Sequence, residues 1–208
     1  MGEAEALRAR LRHVYWIGGA SGAGKSTTAR HLAAEHGLRV YATDAVMPDH
    51  AARSGRDAPF LARFAAMDLD ERWVNRTPET MLETFHWYHG EGFGLIVEDL
   101  ASGPSDPPVV AEGFRLLPHL VKPLLAVRER AVWLLPTPEF RRAAFARRDF
   151  GSRTSDPRRA LENLLERDRM FTERLAAELG RLDLPVIEVA EDAPDGWVAT
   201  EVAERFGL

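Results

Sequence analysis

Gly19-Ala-Ser-Gly-Ala-Gly24-Lys25-Ser26 follows a β-branched, aromatic run, His13-Val14-Tyr15-Trp16-Ile17, and precedes a segment with Ala29, Leu32 and Ala33 at helical spacing. The stretch fits G-x-x-x-x-G-K-[ST] without a gap, between a predicted strand and a predicted helix, which is the context the pattern requires. A glycine-rich turn lets successive backbone N–H groups converge on a polyphosphate without interference from Cβ atoms. The helix after it adds unpaired amides and the positive end of its dipole. In such a loop Lys25 reaches the β- and γ-phosphates, and the Ser26 hydroxyl binds Mg²⁺. The expected nucleotide-binding set is therefore Gly19, Ala20, Ser21, Gly22, Ala23, Gly24, Lys25 and Ser26, with Thr27 beside them. Lys25 gains weight from its surroundings, because the chain's only lysines are Lys25 and Lys122 and its other basic residues are arginines. One of two compact ammonium groups falls where a phosphate needs it.

Working outward, further short apolar runs read as strands: Leu38 to Ala42, Val109 to Glu112, Ala131 to Leu135 and Pro185 to Val189. Between them lie helical patterns. One carries Phe60, Leu61, Phe64 and Ala65. Another opens at Thr77-Pro78 with Met81, Phe85 and Tyr88 on one face. Leu116 to Val127 is apolar and helical but interrupted by Pro118 and Pro123. A long helix is expected from about Pro157, and a closing one over Trp197 to Phe206. Strands alternating with helices predict an α/β fold, a parallel sheet covered on both faces.

In open sheets of this kind ligands lie beyond the carboxyl ends of the strands. Asp44 ends the second predicted strand and is the expected base for an acceptor hydroxyl. Glu112 ends the third, where an acid either tunes the Mg²⁺ shell or holds the acceptor. After the fourth strand come Arg141, Arg142, Arg147, Arg148 and Arg153. Arg141 and Arg148, seven apart, share a helix face and are expected to stabilise charge in flight. Arg53, Arg56 and Arg115 fall in the expected acceptor region, where they would bind an anionic group or simply lie at the surface. His86 and His89 share a helical spacing with no evident third ligand, so aromatic packing at the site wall accounts for them. Asp168 interrupts the apolar stripe of the long helix between Leu165 and Phe171, which predicts pairing with an arginine.

This order of loop, strand-end acids, helical insert and arginine segment resembles the adenylate-kinase-like group of small P-loop kinases, which includes shikimate kinase, gluconate kinase and chloramphenicol phosphotransferase. The resemblance implies a P-loop NTPase fold with a five-stranded parallel sheet of order 2-3-1-4-5. It also implies ATP and Mg²⁺ as cofactors, an acceptor insert at residues 45–107 and a lid at 138–156, all within one domain. Adenine would lie between a lid arginine, here Arg147, and the loop from Glu191 to Gly196. The glycine triplet of the shikimate kinase acceptor site is missing, and the insert is longer and more aromatic than in the smallest members. The expected activity is transfer of the γ-phosphate to a hydroxyl of a small metabolite. A nucleoside monophosphate kinase and a non-kinase P-loop ATPase or ATP-binding module remain as alternatives. A GTPase is excluded by the lack of the guanine-reading Asn-Lys-x-Asp.

Composition agrees with a compact enzyme. The 208 residues are 45% hydrophobic and 28% charged, with a formal charge of −5 and no basic stripe, so neither nucleic acid nor an anionic membrane is an expected partner. There are no cysteines, which removes disulfides and thiolate chemistry. Residues 1–12 hold no apolar run suited to a signal peptide, and a cytoplasmic monomer or homodimer is the expectation.

Overall fold

The computed structural model describes residues 2–55, 58–146, 150–194 and 196–208. Five strands, β1 (Val14–Gly19), β2 (Arg39–Ala42), β3 (Val109–Glu112), β4 (Ala131–Pro136) and β5 (Val186–Val189), make one sheet. Every pairing is parallel and the order is β2-β3-β1-β4-β5, as the resemblance implied. β1, β3 and β4 are buried along their whole length, because helices cover both faces. Successive side chains of β1 point to opposite sides. Val14 and Trp16 join Ala111, Trp133, Ile96 and Phe171 in one core cluster, while Tyr15 and Ile17 join Val110, Val132, Leu32 and Val202 in the other.

The register sets the site. Ile17 and Ala42 both lie opposite Glu112, and Gly19 lies opposite Leu134. The ends of β2 and β3 are thus level, β1 runs two residues beyond them to Gly19, and the loops leaving all three open on the same edge. β1 runs two residues further than its apolar pattern suggested. Gly19 makes that possible: at φ +125° it packs so closely on β4 that a Cβ would lie 2.1 Å from the Leu134 carbonyl oxygen.

The helix Lys25–His36 starts after Gly24 and stops at Gly37, both left-handed. Between β2 and β3 the insert forms helices Met47–Arg53, Pro59–Ala66, Leu69–Trp73, Pro78–Thr84 and Phe93–Ser102. Ala58, Leu61, Phe85 and Trp87 give the insert a small core of its own. Thr77 caps the fourth of these helices by accepting from the Thr80 amide. That helix is shorter than its face of Met81, Phe85 and Tyr88 suggested. It ends at Thr84, Phe85 is extended, and His86–His89 form a separate 3₁₀ turn closed by left-handed Gly90. The expected helix over Leu116 to Val127 is likewise only Pro118–Val121, followed by a 3₁₀ turn at Lys122–Leu124, because Pro123 supplies no amide to continue it. The long helix runs Pro157–Leu182, with Asp156 as its cap. An additional helix, Glu3–Arg10, precedes β1 and buries no residue. No helix among the described residues is long and apolar enough to cross a membrane.

Candidate active site

A cleft of about 670 Å³ opens at the carboxyl edge of the sheet. One end is the loop read first in the sequence: Ser21 through Thr27 line it, with Arg30 from the next turn of the helix. Gly24, at φ 80° and ψ 7°, turns the chain into the helix, and its own position supplies no side-chain cap for the amides behind it. Those donors are left for an anion. Lys25 is buried and donates from Nζ to the Ala20 carbonyl at 2.7 Å, holding its ammonium over the loop. Gly22, at φ +79°, leaves room for Phe145, whose ring would lie 3.4 Å from a Cβ there.

The strand-end acids stand beside this loop. Asp44 and Glu112 both line the cleft, and Ser26 Oγ donates to Glu112 Oε1 at 2.8 Å. Glu112 is only 2% exposed. Burial holds its carboxyl above the usual range, opposed by the Ser26 hydrogen bond and the Lys25 charge, and Asp44 adds to the rise. A hydroxyl and two carboxylates are hard oxygen donors of the kind Mg²⁺ takes alongside substrate phosphates. They fit that ion without a complete protein cage; among the described residues no group of three or more His, Cys, Asp and Glu is placed to hold a metal.

The β2–β3 junction is tightly built. The Thr43 amide donates to the Glu112 carbonyl at 2.9 Å. Gly113, at φ +148°, admits the Thr43 side chain, whose Oγ1 would lie 1.7 Å from a Cβ. Arg115 follows on. It is 2% exposed, donates to the carbonyls of Thr43 and Gly92 at 3.2 Å and to His50 Nδ1 at 2.9 Å, and stacks 4.0 Å from the Trp87 ring. A guanidinium only donates, so His50 Nδ1 is the acceptor and its proton sits on Nε2, which donates to Asp99 Oδ2 at 2.8 Å.

The other end of the cleft is aromatic. Phe64, Trp73, Phe85, Trp87, Tyr88, Phe114 and Phe150 line it. Behind them the Arg167 guanidinium bonds Asp168 Oδ1 at 2.6 Å from Nη2, and the Tyr88 hydroxyl donates to the same oxygen at 3.1 Å. The arginine partner expected for Asp168 is thus its own neighbour, and both line the cleft. Arg167, Trp73, Phe114 and Phe150 were not picked out in the sequence, whereas Phe64, Phe85 and Tyr88 were read as helix faces. Arg167 and Asp168 break a long apolar stripe together, which is the one local sign they gave.

The arginines expected for the lid and the acceptor are dispersed. Arg141, on helix Pro138–Ala146, points inward, is 4% exposed and donates to Thr172 Oγ1. Phe140, Ala144 and Phe145 of that helix line the cleft instead. Arg56, Arg147 and Arg148 lie outside the described residues. Arg53 is held by Asp49, Glu98 and Asp99 at 3.0–3.2 Å, and neither it nor Arg115 lines the cleft. His86 packs its ring on Phe64, Phe85 and Trp87. His89 stacks on Phe60 at 4.1 Å. The described residues of the loop after β5 do not line the cleft.

No protein-family model and no curated protein matches the chain. Solved structures similar to it include a gluconokinase from Sinorhizobium meliloti 1021, 18% identical with a TM-score of 0.47, covering 93% of this chain and 90% of that one. Another is an uncharacterized protein from Eubacterium ventriosum ATCC 27560, 13% identical with a TM-score of 0.47, covering 93% and 97%. Likenesses this distant decide neither substrate nor reaction.

Proposed function

We propose that this chain transfers the γ-phosphoryl group of ATP to a hydroxyl of a small molecule. The observation that carries the reading is the meeting of Lys25, Ser26, Glu112 and Asp44 in one cleft, at the carboxyl ends of three neighbouring parallel strands. The loop amides and the Lys25 ammonium hold the terminal phosphates and favour the charge that spreads over them during transfer. Ser26 and Glu112 would hold Mg²⁺, which when bound neutralises phosphate oxygens. Asp44 accepts the proton of the attacking hydroxyl as its oxygen bonds to phosphorus and ADP leaves. Helix Pro138–Ala146, with Phe140 and Phe145 in the cleft wall, keeps water from competing.

A hydroxyl acceptor is favoured over a nucleoside monophosphate by the placement of Arg53 and Arg115, which are spent on other partners. The test is incubation of the purified chain with γ-labelled ATP, Mg²⁺ and a panel of hydroxyl compounds and nucleoside monophosphates. Label on a hydroxyl compound supports the reading. Label on a nucleoside monophosphate, or release only as inorganic phosphate, replaces it.

A further inference from the structure

The aromatic end of the cleft has a chemistry distinct from its phosphate end. Nine of the chain's 18 aromatic residues line the cleft, and seven of them stand away from the phosphate loop, on the insert, at Phe114 and at Phe150. Their rings meet edge to face: Phe64 with Trp73 at 5.7 Å, Trp73 with Phe150 at 5.2 Å, and Phe64 with Phe85 at 5.5 Å. Such a wall offers ring faces and edges to a flat guest.

Charge narrows the guest further. The cations among the described lining residues are Lys25 and Arg30 on the phosphate-loop helix, and Arg167. Arg167 is bound to Asp168 through Nε and Nη2. The remaining acids, Asp44 and Glu112, face the same space. A carboxylate or phosphate on the acceptor would therefore enter aromatic surroundings beside acids, where the one described arginine lining that end, Arg167, is already paired with Asp168. Two polar atoms in this wall, Arg167 Nη1 and Asp168 Oδ2, have no hydrogen-bond partner among the described residues. They supply one donor and one acceptor to a neutral polar group after a small side-chain rotation.

Resting on the kinase reading above, we infer that the acceptor is an uncharged alcohol borne on a flat ring system, seated between Phe64, Trp73, Phe85, Trp87 and Phe114. Aromatic alcohols and nucleosides share this chemistry. The alcohol oxygen bonds to the γ-phosphorus, the bond from that phosphorus to the β,γ-bridging oxygen breaks, and the alcohol proton passes to Asp44. The products are a phosphate monoester and ADP.

The experiment uses the full chain saturated with a non-hydrolysable ATP analogue and Mg²⁺, with tryptophan fluorescence as the readout, since Trp73 and Trp87 line the site. Tryptophol, 4-nitrobenzyl alcohol, adenosine and uridine are titrated against gluconate and AMP. At least one of the four neutral compounds is expected to bind at least tenfold more tightly than both anions, and to take label from γ-labelled ATP. Which of them does so separates aromatic alcohols from nucleosides. Trp73→Ala should weaken that compound roughly tenfold, and binding of the ATP analogue by the same sample reports whether the variant is folded. Tighter binding of gluconate or AMP, or no binding by any of the four neutral compounds, overturns the inference while leaving the kinase reading standing. Failure of the ATP analogue itself to bind overturns both.

Discussion

The Ser26 hydroxyl donates to Glu112 Oε1 at 2.8 Å, joining the first turn of helix Lys25–His36 to the end of a strand 86 residues later. Glu112 is the more constrained partner, since burial raises its pKa. An acid whose folded pKa is raised opposes folding once ionised. Stability at this site is therefore greatest below the unfolded carboxyl pKa and declines as pH rises through the folded one. Glu112→Gln is expected to leave the thermal midpoint at pH 7 unchanged or higher. Its turnover with Mg²⁺ should fall by about 10- to 100-fold, the usual effect of losing a metal-orienting group. A lower midpoint with unchanged turnover would make Glu112 a structural acid only.

On the proposed reading, Lys25 serves binding and Asp44 serves chemistry. Lys25→Ala is expected to remove measurable ATP use. Asp44→Asn should bind ATP as the parent does but transfer phosphate roughly 10²- to 10⁴-fold more slowly, the range expected for a positioned base. Rapid-quench measurement of single-turnover label transfer checks this. Normal turnover by Asp44→Asn would remove it from the reaction.

Arg115 acts at one remove. Its bond to the Thr43 carbonyl fixes the residue before Asp44, and its bond to His50 Nδ1 ties that turn to Asp99 on helix Phe93–Ser102. Arg115→Lys keeps the charge but has no planar fork to reach three acceptors. About 2 kcal/mol of stability should be lost in urea denaturation, and kcat should fall more than KM for ATP rises. Equal loss of both would show that Arg115 does not position Asp44.

Sequence and structure part company in instructive places. The glycine-rich turn between β1 and helix Lys25–His36, the sheet and the two acids at the strand ends were legible because each rests on local pattern: a motif, an apolar run, the residue that ends it. Arg53, Arg115 and Arg141 were not, because an arginine's partner is chosen by tertiary packing, and all three found theirs elsewhere. Phe85 and Tyr88 read as one helix face, yet the chain breaks at Phe85, and that break lets Phe85 join both the insert core and the cleft wall. The helix Glu3–Arg10 left no apolar stripe to read, since it buries nothing.

His86 supplies a pH signature that is independent of catalysis. It is 2% exposed among Phe64, Phe85 and Trp87. Burial, with Arg115, Arg72 and Arg167 nearby, depresses its pKa from 6.5 to about 4. A histidine held neutral in the fold contributes stability that is present above the unfolded pKa and lost as pH falls from about 6.5 toward 4. Between pH 7 and pH 5 the linkage relation gives a loss of about 2 kcal/mol from this residue. His86→Leu should lose correspondingly less over the same interval, whatever its stability at pH 7. Urea denaturation of both proteins at the two pH values measures the difference, and parallel losses would place the protonation-sensitive group somewhere other than His86.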